Sequence, residues 1–89
     1  MPKTDEVNQS LLTEYIIQDS HVALEVYIGL LEIAKERGHA SLGDYYDIMG
    51  VDTRWVHTRY GWSFVNLTKA YLQPDIGGWT IKFTELEEL

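Results

Sequence analysis

The sequence predicts a small α+β fold in which a helical N-terminal half, of two to three helices, is followed by a C-terminal β-hairpin, the element order of a winged helix. Three observations carry this expectation. Apolar residues recur at helical spacing from Leu11 to Ala34, with no proline between Pro2 and Pro74. A segment that opens on Ser41 and closes on Gly50 has the punctuation of a short helix. Beyond Gly61 the pattern turns to alternation around the turn-rich run Pro74-Asp75-Ile76-Gly77-Gly78.

The chain of 89 residues reads as a single domain over residues 1–89, with 45% hydrophobic residues and no cysteine, so its core rests on packing alone. Residues Thr4 to Arg37 read as helix. Leu12, Ile16, Ala23, Tyr27, Leu30 and Ala34 form one stripe, with Leu11, Tyr15, Val22, Val26 and Ile33 beside it, while Glu25, Gly29, Glu32 and Glu36 mark the outer side. One long bent helix fits this phase, and so does a break at Asp19-Ser20, where either residue can cap a second helix. Lys35-Glu36-Arg37-Gly38 reads as a last turn with a left-handed cap. Gly38 to Ala40 is a short connection with room for one or two β-bridges. Ser41 and Asp44 make an approximate capping box for the helix Leu42–Met49, with Leu42, Tyr45, Tyr46 and Met49 turned inward.

Asp52 can cap a third helix reaching about Tyr60, with Trp55, Val56 and Tyr60 inward and Arg54, His57 and Thr58 outward. Phe64 to Thr68 fits either an extended lead-in or a turn. Ala70–Gln73 and Trp79–Thr84 then form the hairpin, with Trp79, Ile81 and Phe83 on the buried face and Thr80, Lys82 and Thr84 on the other. The terminal Glu85-Leu86-Glu87-Glu88-Leu89 reads as a frayed acidic tail. The aromatics exceed what a core of this size needs and so suit an interface; the structural alternative is that Tyr15, Tyr27, Tyr45, Tyr46 and Tyr71 sit at the core margin with their hydroxyls in water.

The formal net charge of −7 is unevenly distributed. Residues 53–74 carry Arg54, Arg59 and Lys69 and no acid, whereas Asp44, Asp47 and Asp52 lie just upstream. The acidic total opposes nucleic acid at long range, yet a local positive island can still contact an anion at short range. MPKTDEVNQS lacks the order of a signal peptide, and Glu25, Gly29 and Glu32 interrupt the longest apolar run, so no membrane contact and a cytoplasmic location in a host cell are expected.

The basic-aromatic stretch Asp52 to Ser63 is the working surface the sequence offers. As a protein contact it supplies Arg54, Trp55, His57, Arg59, Tyr60 and Trp62, the residue types that dominate interface hot spots. As a nucleic-acid contact it supplies Arg54, His57 and Arg59, with Lys69 and Lys82 added from the hairpin side. Against both stands a structural reading, in which Trp55, Val56, Tyr60 and Trp62 join the second helix to the hairpin and the arginines pair with Asp44, Asp47 and Asp52. His21, His39 and His57 have no metal-ligand partner at a spacing of three to five, and no nucleophile elbow, calcium loop or phosphate-binding glycine loop is present, so no catalytic residue, metal or cofactor is expected. Two neighbouring apolar stripes on the first helix also leave room for a homodimer.

Ser41 to Val51 (SLGDYYDIMGV), Arg59-Tyr60-Gly61-Trp62 and Gly78-Trp79-Thr80-Ile81 together resemble small proteins encoded by bacteriophages and prophages of Gram-positive bacteria. In that group a helix of the form S/T-L-x-D-L-Y-D-L-x-G precedes a Y-G-W motif and a terminal hairpin with a Gly-aromatic start. The resemblance spans roughly Gly38 to Phe83. Tyr45 stands where leucine is usual, and ELEEL replaces a proline-containing end. It implies a phage setting and an accessory role, and carries over no catalytic residue or ligand. The leading expectation is therefore a non-enzymatic phage accessory protein that binds another protein, one with a basic surface such as a nucleic-acid-binding protein of the host or its defence. The alternative is a winged-helix-like nucleic-acid binder.

Overall fold

The computed structural model describes residues 11–89. Its first helix, α1, spans Ser20–Arg37. Asp19 is extended and caps it by accepting from the His21 amide at 2.7 Å, and Gly38 closes it at φ 89°, donating to Ala34 O. Ala23, Val26, Leu30 and Ala34 are buried along one face. The expected helix from Thr4 is corrected within the described residues: helix begins at Ser20, and the part over residues 4–10 lies outside them. The helical phase of Leu12 and Ile16 is overridden by tertiary pairing. Ile17 exchanges two backbone hydrogen bonds of 2.7 Å with Trp79, which requires extended chain.

Strand β1 (His39–Ser41) leads directly into α2 (Leu42–Met49). The capping box forms as the sequence suggests: the Asp44 amide donates to Ser41 Oγ at 3.0 Å, and the Ser41 amide donates to Asp44 Oδ2 at 2.8 Å. In place of a third helix, Trp55–Arg59 forms a single 3-10 turn that feeds β2 (Tyr60–Ser63). Thr, Val, His and Trp are mediocre helix formers, and the sheet claims the chain from Tyr60 onward. α3 is one turn, Phe64–Leu67, capped by Ser63. β3 (Tyr71–Asp75) and β4 (Gly78–Lys82) make the C-terminal hairpin.

The tail is not frayed. Glu87–Glu88 forms β5, which pairs with β2, so the main sheet runs β1-β2-β5 and is separate from the hairpin. Leu86 is buried, and Glu87 Oε1 accepts from Asn66 Nδ2 at 2.5 Å and from the Ser63 amide at 3.3 Å. Non-local pairing supplies what local propensity lacks.

Core and hairpin meet through aromatic rings. Trp62 and Phe83 stack at 4.1 Å and 15°, and Tyr45 meets Phe83 edge-on at 5.1 Å. Tyr45 and Tyr46 are buried rather than marginal, and burial pushes the Tyr45 phenol up to about 12. Tyr46 donates to Leu11 O and accepts from the Thr13 amide, and Tyr27 donates to Leu67 O, so these hydroxyls bind chain instead of water. Thr80, expected on the outer face, is buried together with Ile81 because β4 is covered on both sides.

Candidate functional site

The 3-10 turn forms a corner between α2 and β2. Two local bonds set its entry: the His57 amide donates to Arg54 O, and the Arg54 amide donates to His57 Nδ1 at 3.1 Å. Thr58 Oγ1 donates to Trp55 O at 2.6 Å. His57 also meets the Tyr46 ring edge-on at 4.8 Å, which anchors the turn on the buried side of α2. Partial burial lowers the His57 pKa, and the Arg54 charge lowers it further, so the imidazole is neutral at pH 7 and keeps the acceptor that holds Arg54.

With its backbone held this way, the turn displays Trp55. The expectation that Trp55 faces inward is corrected: it is 71% exposed. The Arg59 guanidinium lies 5.7 Å from its ring centroid, within cation–π range. Arg59 also approaches Glu88 at 3.9 Å, with both side chains more than half exposed. Such an ion pair contributes less than about 1 kcal/mol. A partner can recruit Arg59 at little cost. Among the described residues, Arg54 has no carboxylate within 4 Å.

Two of the three acids expected to neutralise these arginines are occupied elsewhere, and the third, Asp52, is exposed and forms no salt bridge with either arginine. Asp44 is held by the α2 cap and by Arg37 at 3.5 Å, and Asp47 accepts from Thr53 Oγ1 at 3.2 Å. Position explains this: Asp44 is the third residue of a helix whose cap needs it.

The structure divides the remaining candidates. Arg54, Trp55 and Arg59 share the exposed corner, and His57 lies half-buried beneath it. Tyr60 is half-buried in β2. Trp62 is fully buried and donates from Nε1 to Thr84 O at 3.0 Å, so it is a core residue that supports the corner and does not reach a partner. Lys69 is exposed beyond α3. Lys82 belongs to the hairpin, where a 2.6 Å contact with Glu14 raises its pKa. Of the five residues of the nucleic-acid reading, Arg54, His57 and Arg59 therefore belong to the corner, while Lys69 and Lys82 are carried by other elements.

Sequence reasoning missed Glu88, the carboxylate beside Arg59. The buried Leu86 between Glu85 and Glu87 is a short alternation that signals a strand there. Among the described residues no ligand-sized cavity opens, and no group of three or more His, Asp or Glu is placed to hold a metal ion. No helix is long and apolar enough to cross a membrane. No protein-family model matches the chain, and no curated protein or solved structure matches it significantly.

Proposed function

We propose that this chain is a small, non-enzymatic accessory protein of phage origin that acts by binding another protein through the corner formed by Arg54, Trp55 and Arg59. The observation that carries this reading is the exposure of Trp55 between two arginines, on a turn whose backbone is already fixed. Trp and Arg are the side chains most enriched at interface hot spots, and a rigid turn loses little entropy on binding. Covering the 71% of Trp55 that is exposed removes roughly 180 Å² from water, about 4.5 kcal/mol at 25 cal/mol per Å². The phage setting rests on the resemblance at Ser41–Val51, Arg59–Trp62 and Gly78–Ile81. The net charge of −7 steers the chain toward partners that are basic overall, which suits a nucleic-acid-binding protein of the host or its defence.

The test is a capture experiment from phage-infected cells, comparing the wild-type chain with the Arg54→Ala/Trp55→Ala variant. A stoichiometric protein partner retained by the first and lost by the second is expected. Tight duplex binding with no stoichiometric protein, and a salt slope that falls in an Arg54→Ala/Arg59→Ala variant, would instead establish the nucleic-acid reading.

A further inference from the structure

The outer flank of α1 is a second surface, independent of the corner. Leu24, Ile28 and Leu31 follow one another at spacings of four and three, which places them in one row on the helix. Leu24 and Ile28 are 43% and 44% exposed, and Leu31 is half-buried at the edge of the core. The row flanks Tyr27, whose hydroxyl donates to Leu67 O and Ala70 O and so turns that side of α1 toward α3. On the opposite flank, a Cβ at Gly29 would meet Ile48 of α2 at 3.3 Å, so α2 packs against that side of α1.

Beside the row runs an acidic rail. Glu25 and Glu32 lie three residues before and four residues after Ile28, and Glu36 continues the line; all three are exposed. Lys35 lies at the C-terminal end of the row, and Arg37 is paired with Asp44.

We propose that this flank of α1 docks an amphipathic helix of a partner protein that carries an apolar stripe edged by Lys and Arg. An apolar row at i, i+4, i+7 is the receptor pattern for a helix laid alongside, and the rail selects its charge. A second copy fits poorly, because two α1 helices packed antiparallel through this row bring Glu25 of one opposite Glu32 of the other. Duplex nucleic acid and an anionic bilayer are repelled by the same rail, and surface-seeking helices carry Lys and Arg where this one carries Glu.

Two labelled synthetic helices of about 18 residues test the proposal by fluorescence anisotropy against the full chain. Both share one Leu/Ile stripe; one is flanked by Lys and the other by Glu. The Lys-flanked helix is expected to bind saturably at one per chain, at least tenfold tighter than the Glu-flanked helix and more weakly as salt rises. Ile28→Lys lowers that affinity at least tenfold, Glu25→Lys/Glu32→Lys reverses the preference between the two helices, and Trp55→Ala leaves both unchanged. All substituted side chains are exposed or partly so, and each variant is checked for an unaltered melting curve. Absence of binding, equal binding of the two helices, or indifference to Ile28→Lys would overturn the proposal. A dimer seen by light scattering and dissolved by Ile28→Lys would overturn it in favour of a second copy.

Discussion

Gly61→Ala is the sharpest test of the architecture beneath the corner. Gly61 lies in the middle strand of β1-β2-β5, opposite Ser41 on one side and Glu87 on the other. A Cβ at this position would fall 2.6 Å from Ser41 Cα and closer still to the Ala40 carbonyl oxygen. Restoring 3.4 Å, the near edge of ordinary contact, requires a retreat of about 0.8 Å from Ser41 Cα alone, and the nearer Ala40 oxygen requires more. The atoms in the way are backbone, so no rotamer change relieves the contact. Moving them also pulls Ser41 away from the α2 cap. The φ of Gly61 is not positive, so the penalty comes from contact and not from backbone conformation. Overpacking costs about 1–3 kcal/mol, and a rigid backbone neighbour places this site at the top of that range. The loss of unfolded-state freedom on replacing glycine returns about 0.4–1 kcal/mol. A net destabilisation of about 2–3 kcal/mol is expected, or roughly 10–20 °C in Tm for a domain of this size. Urea unfolding followed by tryptophan fluorescence measures it. A loss below about 0.5 kcal/mol would refute the close β1–β2 approach.

Three further outcomes follow from the same geometry. Trp55→Ala is expected to change unfolding free energy by less than about 0.5 kcal/mol, as for other exposed substitutions; a larger loss would mean that Trp55 belongs to the core. Glu87→Ala, which removes the acceptor of the Ser63 amide and Asn66 Nδ2, is expected to cost about 1.5–3 kcal/mol, with Glu87→Gln milder because an acceptor oxygen remains. Equal effects of Ala and Gln in urea titrations would contradict that assignment. His57 is lowered in the folded chain, so it binds its proton more readily when unfolded. Its contribution is fully present above the unfolded value near 6.5 and is lost as pH falls through the lower folded value. An NMR titration of the His57 ring should therefore find its midpoint below those of model peptides, and a midpoint above 6.5 would contradict the Arg54–His57 arrangement.

The elements legible in the sequence are those settled locally. The Asp19 and Ser41 caps, the Gly38 and Gly50 terminations and the hairpin turn each depend on residues within a few positions of one another. What sequence did not reveal is decided at long range. Ile17 is drawn out of helical phase by Trp79, sixty-two positions away, and β5 forms only because β2 offers an edge to pair with. The same reason governs the site. Trp55 and Trp62 sit seven residues apart in one aromatic stretch, and no local pattern says which is core. The 3-10 turn ends at Arg59 and β2 begins at Tyr60, which sends Trp62 into the stack with Phe83 and leaves Trp55 outside. Asp44 is unavailable to these arginines because the α2 cap holds it.

The central claim, that the corner presents Trp55 to a protein, is tested most directly by placing a photo-crosslinking phenylalanine analogue at position 55 in infected cells. The hairpin tip residue Ile76, 93% exposed, serves as an equally accessible control. One crosslinked protein, obtained from position 55 and absent from position 76, is the expected result. The same products from both positions, or crosslinks to nucleic acid alone, would contradict it.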